Sequence, residues 1–142
     1  MFMQRTYNGF FLLIRGDDMY HYIGSITEGN GSLSGKREGI CCLKFDENKF
    51  EKFQTVPCKQ PSIIKCYGSM IYTTNEVKDF SGLNGSGGGI TCFKWNEVTG
   101  ALTKVNDSLS YGSRSSYLVR SEDGKHLVVT NHGSHTYSNM PL

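Results

Sequence analysis

Gly39-Ile40-Cys41-Cys42-Leu43-Lys44-Phe45-Asp46-Glu47 returns 50 residues later as Gly89-Ile90-Thr91-Cys92-Phe93-Lys94-Trp95-Asn96-Glu97, with Gly, Ile, Cys, Lys and Glu identical in both copies. A period near fifty is the mark of stacked β-blades or a solenoid. One such unit cannot bury its own apolar face, so architecture and site both depend on how the units stack.

Working outward, each unit follows the same order of strands and turns. Ser62-Ile63-Ile64-Lys65-Cys66 reads as a strand, Tyr67-Gly68-Ser69 as a turn, and Met70-Ile71-Tyr72-Thr73-Thr74-Asn75 as the next strand, rich in β-branched and aromatic residues. A glycine-rich loop from Gly82 leads into Ile90 to Trp95. Asn96-Glu97-Val98-Thr99-Gly100 then makes a hairpin turn to Ala101-Leu102-Thr103-Lys104-Val105. An earlier unit shows as Tyr20-His21-Tyr22-Ile23-Gly24-Ser25, and a later one as Ser116 to Arg120 followed by His126 to Asn131. No segment sustains a 3.6-residue period, so helices beyond short turns are not expected.

Four strands in about fifty residues is the size of one propeller blade. The expected fold class is all-β, a partial β-propeller of about two and a half to three four-stranded blades. The segment Ser138 to Leu142 falls where the second strand of a further blade is expected. The reading is therefore the N-terminal part of a longer protein, or a chain whose copies complete the ring. Open blade edges are the surface through which copies would associate.

The totals narrow the function classes. Fifteen Lys and Arg against thirteen Asp and Glu leave a net charge of +2, scattered along the chain, which argues against nucleic-acid and membrane partners. Phe10-Phe11-Leu12-Leu13-Ile14 is too short for a membrane span and lacks a signal-peptide cleavage site, so a cytoplasmic protein is expected. Five cysteines at 41, 42, 58, 66 and 92 include no Cys-x-x-Cys pair. They read as reduced core residues, with a disulfide framework or a zinc site as the alternative.

Several local motifs then carry a resemblance. Tyr22-Ile23-Gly24-Ser25-Ile26-Thr27 followed by Gly39-Ile40 and Phe45-Asp46 resembles the opening of the seven-bladed lactonase family, which contains 6-phosphogluconolactonase and the fungal carboxy-cis,cis-muconate cyclase. Gln60-Pro61-Ser62 with Ile71 to Glu76 is similar to its first inter-blade connection, and Val98-Thr99-Gly100-Ala101-Leu102 to its Thr-Gly-x-Leu hairpin. Asp123-Gly124-Lys125 and Val129-Thr130-Asn131-His132-Gly133 resemble its Asp-Gly turn and Ala-Asn-Tyr-Gly element, with His132 where Tyr is usual. The resemblance implies an incomplete lactonase-type propeller over residues 19–142 of a seven-bladed fold. Residues 1–18 are an N-terminal extension or a ring-closing strand.

It also implies a function. The expected substrate is a small-molecule sugar lactone, plausibly 6-phosphogluconolactone of the pentose phosphate pathway, hydrolysed without metal or organic cofactor. The chain as it stands is expected to be inactive, because the family's strongest acid/base and arginine positions belong to later blades. The alternative is a non-enzymatic propeller scaffold for a protein or carbohydrate ligand. Lactone hydrolysis needs an activated water, an electrophile for the carbonyl oxygen and an acid for the leaving alkoxide. The candidates for a substrate channel are Asn75, Glu76, Arg114, Asn131 and His132, four of them placed at the ends of the innermost strands. For the asparagines a turn-capping role competes. For Glu76 the competing role is a solvated loop carboxylate. His132 and His135 lie in a Gly-Ser loop without further metal ligands, and the glycine-rich loop precedes a strand, which argues against a phosphate loop.

Overall fold

In a computed structural model, the repeat folds into three antiparallel sheets. It describes the backbone of residues 3–6 and 9–15, and backbone with side chains for residues 19–28, 38–46 and 48–142. Glu47, the last residue of the first repeat copy, lies outside the described residues, as do residues 1–2, 7–8 and 16–18 of the N-terminal stretch.

The first sheet runs in the order β1 (Met3–Thr6), β2 (Gly9–Arg15), β3 (Met19–Gly24), β4 (Gly39–Asp46) and β5 (Lys49–Pro57). The second is β6 (Pro61–Tyr67), β7 (Met70–Asn75), β8 (Gly89–Trp95) and β9 (Leu102–Leu109). The third is β10 (Ser115–Arg120), β11 (His126–Asn131) and β12 (Thr136–Pro141). Each sheet is one blade, so the molecule is all-β, a partial propeller of three blades. Among the described residues no helix is long and apolar enough to cross a membrane.

The sequence repeat is a structural repeat down to its pairing. Tyr22 lies opposite Cys42 in the first blade, and Tyr72 opposite Cys92 in the second. A bulge follows Cys42 in one copy and Cys92 in the other, so even the irregularity is inherited.

Two apolar seams join the blades. Tyr20, Tyr22, Ile40, Cys42 and Val56 of the first blade pack on Ile64, Ile71, Phe93 and Leu102 of the second. Ile63 and Ile90 of the second blade pack on Leu118, Leu127 and Val129 of the third. Strand alternation explains why one blade serves both seams: neighbours such as Ile63 and Ile64 point to opposite faces. Full burial of one such side chain contributes about 1.5–3 kcal/mol.

Two expectations are corrected. Residues 138–142 do not begin a further blade, because Thr136–Pro141 pairs along β11 as the third strand of the third blade. Thr136, Ser138 and Asn139 carry a weak strand signal, and an outer strand accepts them because one face meets solvent. Second, Asn75 and Asn131 do not end the innermost strands. β6 and β10 are the edge strands of their sheets, and β6 packs against both β2 and β10, so β6 and β10 hold the inner positions of their blades. Asn75 and Asn131 close β7 and β11, one place further out.

Candidate functional site

At one end of the blades the loops following β3, β5, β7, β9 and β11 converge. Those after β3, β5, β7 and β9 line an open cleft of about 460 Å³ that includes Glu28, Lys59, Glu76, Lys78, Asp79 and Arg114. Every blade contributes: Glu28 from the first, Lys59, Glu76, Lys78 and Asp79 from around the second, and Arg114 from the approach to the third.

Backbone conformation sets these positions. Gln60 and Arg114 each stand directly before an inner strand, and each has a left-handed φ, 40° and 55°. That bend turns the Gln60 carbonyl to accept the Glu76 N–H at 3.0 Å and the Arg114 carbonyl to accept the His132 N–H at 3.1 Å. The Arg114 N–H in turn donates to the Val77 carbonyl at 2.9 Å, tying the third blade to the second. Glycine is required where the chain closes on itself: a Cβ on Gly88 would lie 2.8 Å from the Ser115 nitrogen and 2.9 Å from the Asn75 carbonyl oxygen.

Three of the five candidate residues are brought together. One Glu76 carboxylate oxygen accepts the Ser62 hydroxyl at 2.9 Å, and the other lies 3.9 Å from His132 Nδ1. Both side chains remain partly open to solvent, and Arg114 is half-buried at the same cleft. A carboxylate beside an imidazole, with a guanidinium nearby, offers an acceptor, a titratable donor and a fixed cation.

The asparagines are elsewhere. Asn75 and Asn131 are 0% exposed. Asn75 donates to the Lys59 carbonyl at 2.6 Å and lies 3.0 Å from the Thr91 hydroxyl; Asn131 accepts from Ser115 at 3.0 Å and donates to Ser138 at 3.1 Å. Asn75 thus holds the loop between β5 and β6 to β8, and Asn131 ties β10 to β12. Such amides satisfy buried backbone and hydroxyl groups.

Sequence reasoning overlooked Lys59, Gln60 and Lys78. Lys59 donates to the Asp79 carbonyl at 3.1 Å and pairs with Glu28 at 3.4 Å. Gln60 Oε1 accepts the N–H groups of Thr27 and Glu28 at 2.6 and 2.8 Å. The available signal was positional, since Gln60 and Arg114 precede corresponding strands.

A second cleft of about 420 Å³ lies beside Cys58, Thr91, Lys104 and Asp107. Its polar groups are engaged with one another: Thr91 donates to Asp107 at 2.8 Å, and Lys104 pairs with Asp107 at 2.5 Å. Burial pushes the Cys58 thiol up to about 11, leaving it protonated and a poor nucleophile. Among the described residues no three His, Cys, Asp or Glu side chains converge as metal ligands.

The family model described as lactonase, 7-bladed beta-propeller matches residues 20–142. The chain belongs to this family. No curated relative matches this chain in sequence. Among solved structures it is similar to a candidate 6-phosphogluconolactonase from Bacteroides fragilis, at 18% identity and a TM-score of 0.61, covering 90% of this chain and 36% of that one. The Pseudomonas aeruginosa periplasmic gluconolactonase matches at 22% identity and a TM-score of 0.62, over 78% of this chain and 30% of its own. A candidate 6-phosphogluconolactonase from Bacteroides uniformis matches at 17% identity and 0.56, over 84% and 35%. The chain thus spans about a third of the length of these neighbours.

Proposed function

We propose that the chain forms a substrate-binding wall of a sugar-lactone hydrolase, with 6-phosphogluconolactone as the specific substrate. The observation that carries this reading is that Glu76 and Arg114 line one cleft of a lactonase-family propeller, with His132 Nδ1 3.9 Å from the Glu76 carboxylate. In lactone hydrolysis, water adds to the carbonyl carbon, the ring C–O bond breaks, and the ring oxygen takes a proton. Glu76 accepts hydrogen bonds from sugar hydroxyls or from the attacking water. His132 donates when protonated, and Arg114 balances negative charge.

The share of the fold present favours binding over turnover. Three blades supply one arc of the channel, and the chain spans 30–36% of its solved neighbours. A site drawn from several blades gains its rate from groups held on all sides, so this chain is expected to bind the hydroxy-acid product while hydrolysing the lactone slowly or not at all. Calorimetric titration with 6-phosphogluconate and pH-stat assay of the lactone test both halves. Glu76→Gln should weaken product binding about tenfold. Absence of binding to either lactone or product would sink the reading and leave the non-enzymatic scaffold, whereas rapid turnover would place a complete catalytic set within these three blades.

A further inference from the structure

The loop that joins one blade to the next is built twice, and its two copies differ at one side chain. In the first, the Gln60 carboxamide oxygen caps the backbone N–H groups of Thr27 and Glu28 of the preceding blade. Fifty residues further on, the corresponding positions are Val77 and Lys78, and the residue in the place of Gln60 is Arg114. Both residues share the left-handed backbone, and both carbonyls accept the N–H that follows the buried asparagine. Arginine has no acceptor atom, so the second copy lacks its cap. The Val77 N–H turns back to the Asn75 carbonyl at 2.9 Å. Among the described residues the Lys78 N–H has no partner, and neither does the Arg114 guanidinium.

The carboxylates around them are already engaged. Glu28 pairs with Lys59 at 3.4 Å, Glu76 accepts from Ser62 and faces His132, and Asp79 accepts the Gly85 N–H. Arg114 and Lys78 are the lining cations without such an engagement. A backbone N–H beside a guanidinium is the donor set that recognises a phosphate.

We propose that this uncapped copy, formed by Arg114 and the Lys78 N–H, binds the phosphate of a phosphorylated sugar lactone, occupying the place that the Gln60 carboxamide fills in the first copy. The phosphorylated sugar rests on the function proposed above; the anion site itself requires no turnover. The equal number of carboxylates and cations in the cleft holds the affinity to on the order of 1 mM.

The experiment is a nuclear magnetic resonance titration of the whole chain with inorganic phosphate, 6-phosphogluconate and gluconate. Phosphate and 6-phosphogluconate should move the Lys78 amide resonance, and gluconate should bind about tenfold more weakly or worse. Arg114→Gln supplies the missing cap from within and should abolish the phosphate response while shifting Tm by less than about 2 °C. An unmoved Lys78 amide, gluconate binding as tightly as 6-phosphogluconate, or a phosphate response retained in folded R114Q overturns the proposal. The wild-type titration decides even if the variant does not fold. Phosphate binding without any lactone or product binding would sink the hydrolase reading alone, and gluconate binding as tightly as 6-phosphogluconate would sink this site and the phosphorylated substrate while leaving sugar-lactone hydrolysis in place.

Discussion

The two seams between blades do different work. The first is aromatic and closed by long-range hydrogen bonds: Tyr20 and Tyr22 donate to the carbonyls of Val98 and Gly100 at 2.9 and 2.6 Å, and Gln54 exchanges two bonds with Leu102 at 2.9 and 3.0 Å. The second is mainly aliphatic; its polar links include a buried bond from the Ser115 hydroxyl to Ser110 at 2.6 Å, and at the surface Tyr67 accepts the Arg120 N–H at 3.1 Å with its ring under the guanidinium. The same difference recurs at the cleft, where the first loop is capped by Gln60 and the second is left open at Arg114. One repeat thus yields a sealed joint and an accessible one. The proposed anion site lies at the accessible joint, where the Arg114 guanidinium and the Lys78 N–H have no partner among the described residues.

The largest test of this contrast is core truncation on each side. Phe93→Ala in the first seam should cost about 3–5 kcal/mol, and Leu118→Ala in the second about 2–4 kcal/mol, both side chains being fully buried. Denaturant unfolding measures both, and an equal or larger loss for L118A would break the ranking. A smaller effect is expected at Gly100, whose φ is +70° and whose Cβ would enter the Tyr20 ring. Gly100→Ala should destabilise by about 1–3 kcal/mol. A thermal melt indistinguishable from wild type would show that the turn does not clamp the seam.

The smallest effect is a dependence on pH. Burial pushes the Cys42 thiol from 9.0 up to about 12. As pH rises past 9, the unfolded chain releases a proton that the native state keeps, so stability falls from there toward 12. Cys42→Ala should flatten this part of the profile more than Cys92→Ala, because Cys42 is 0% exposed and its repeat partner 6%. Equal slopes for the two variants would remove the distinction between the seams.

Much of the fold was legible because its signals are local. Met70–Asn75 was read with the boundaries it has, and β8 differs from its reading by one residue. β9 runs on to Leu109, past Val105 where the sequence reading ends the strand, through Asn106, Asp107 and Ser108, residue types with weak strand preference. They are exposed on an outer strand, and pairing with Cys92, Thr91 and Ile90 overrides their propensity. The cleft was legible in part. Glu76 and Arg114 line it and His132 lies beside Glu76, whereas Asn75 and Asn131 are adjacent along the chain but their side chains turn into the blades. The cap at Gln60 is not legible in the sequence, because neither Gln60 nor Arg114 advertises a left-handed backbone as glycine would.

The sequence by itself determined the repeating strand order, the blade size and the lactonase family, because periodicity, turn residues and motif order are properties of neighbours along the chain. Which side chains face one another across blades was decided by the tertiary structure. The open Arg114 cradle exists because residues 28, 76, 78, 114 and 132 are carried to one end by three separate sheets, and no spacing along the chain encodes that meeting.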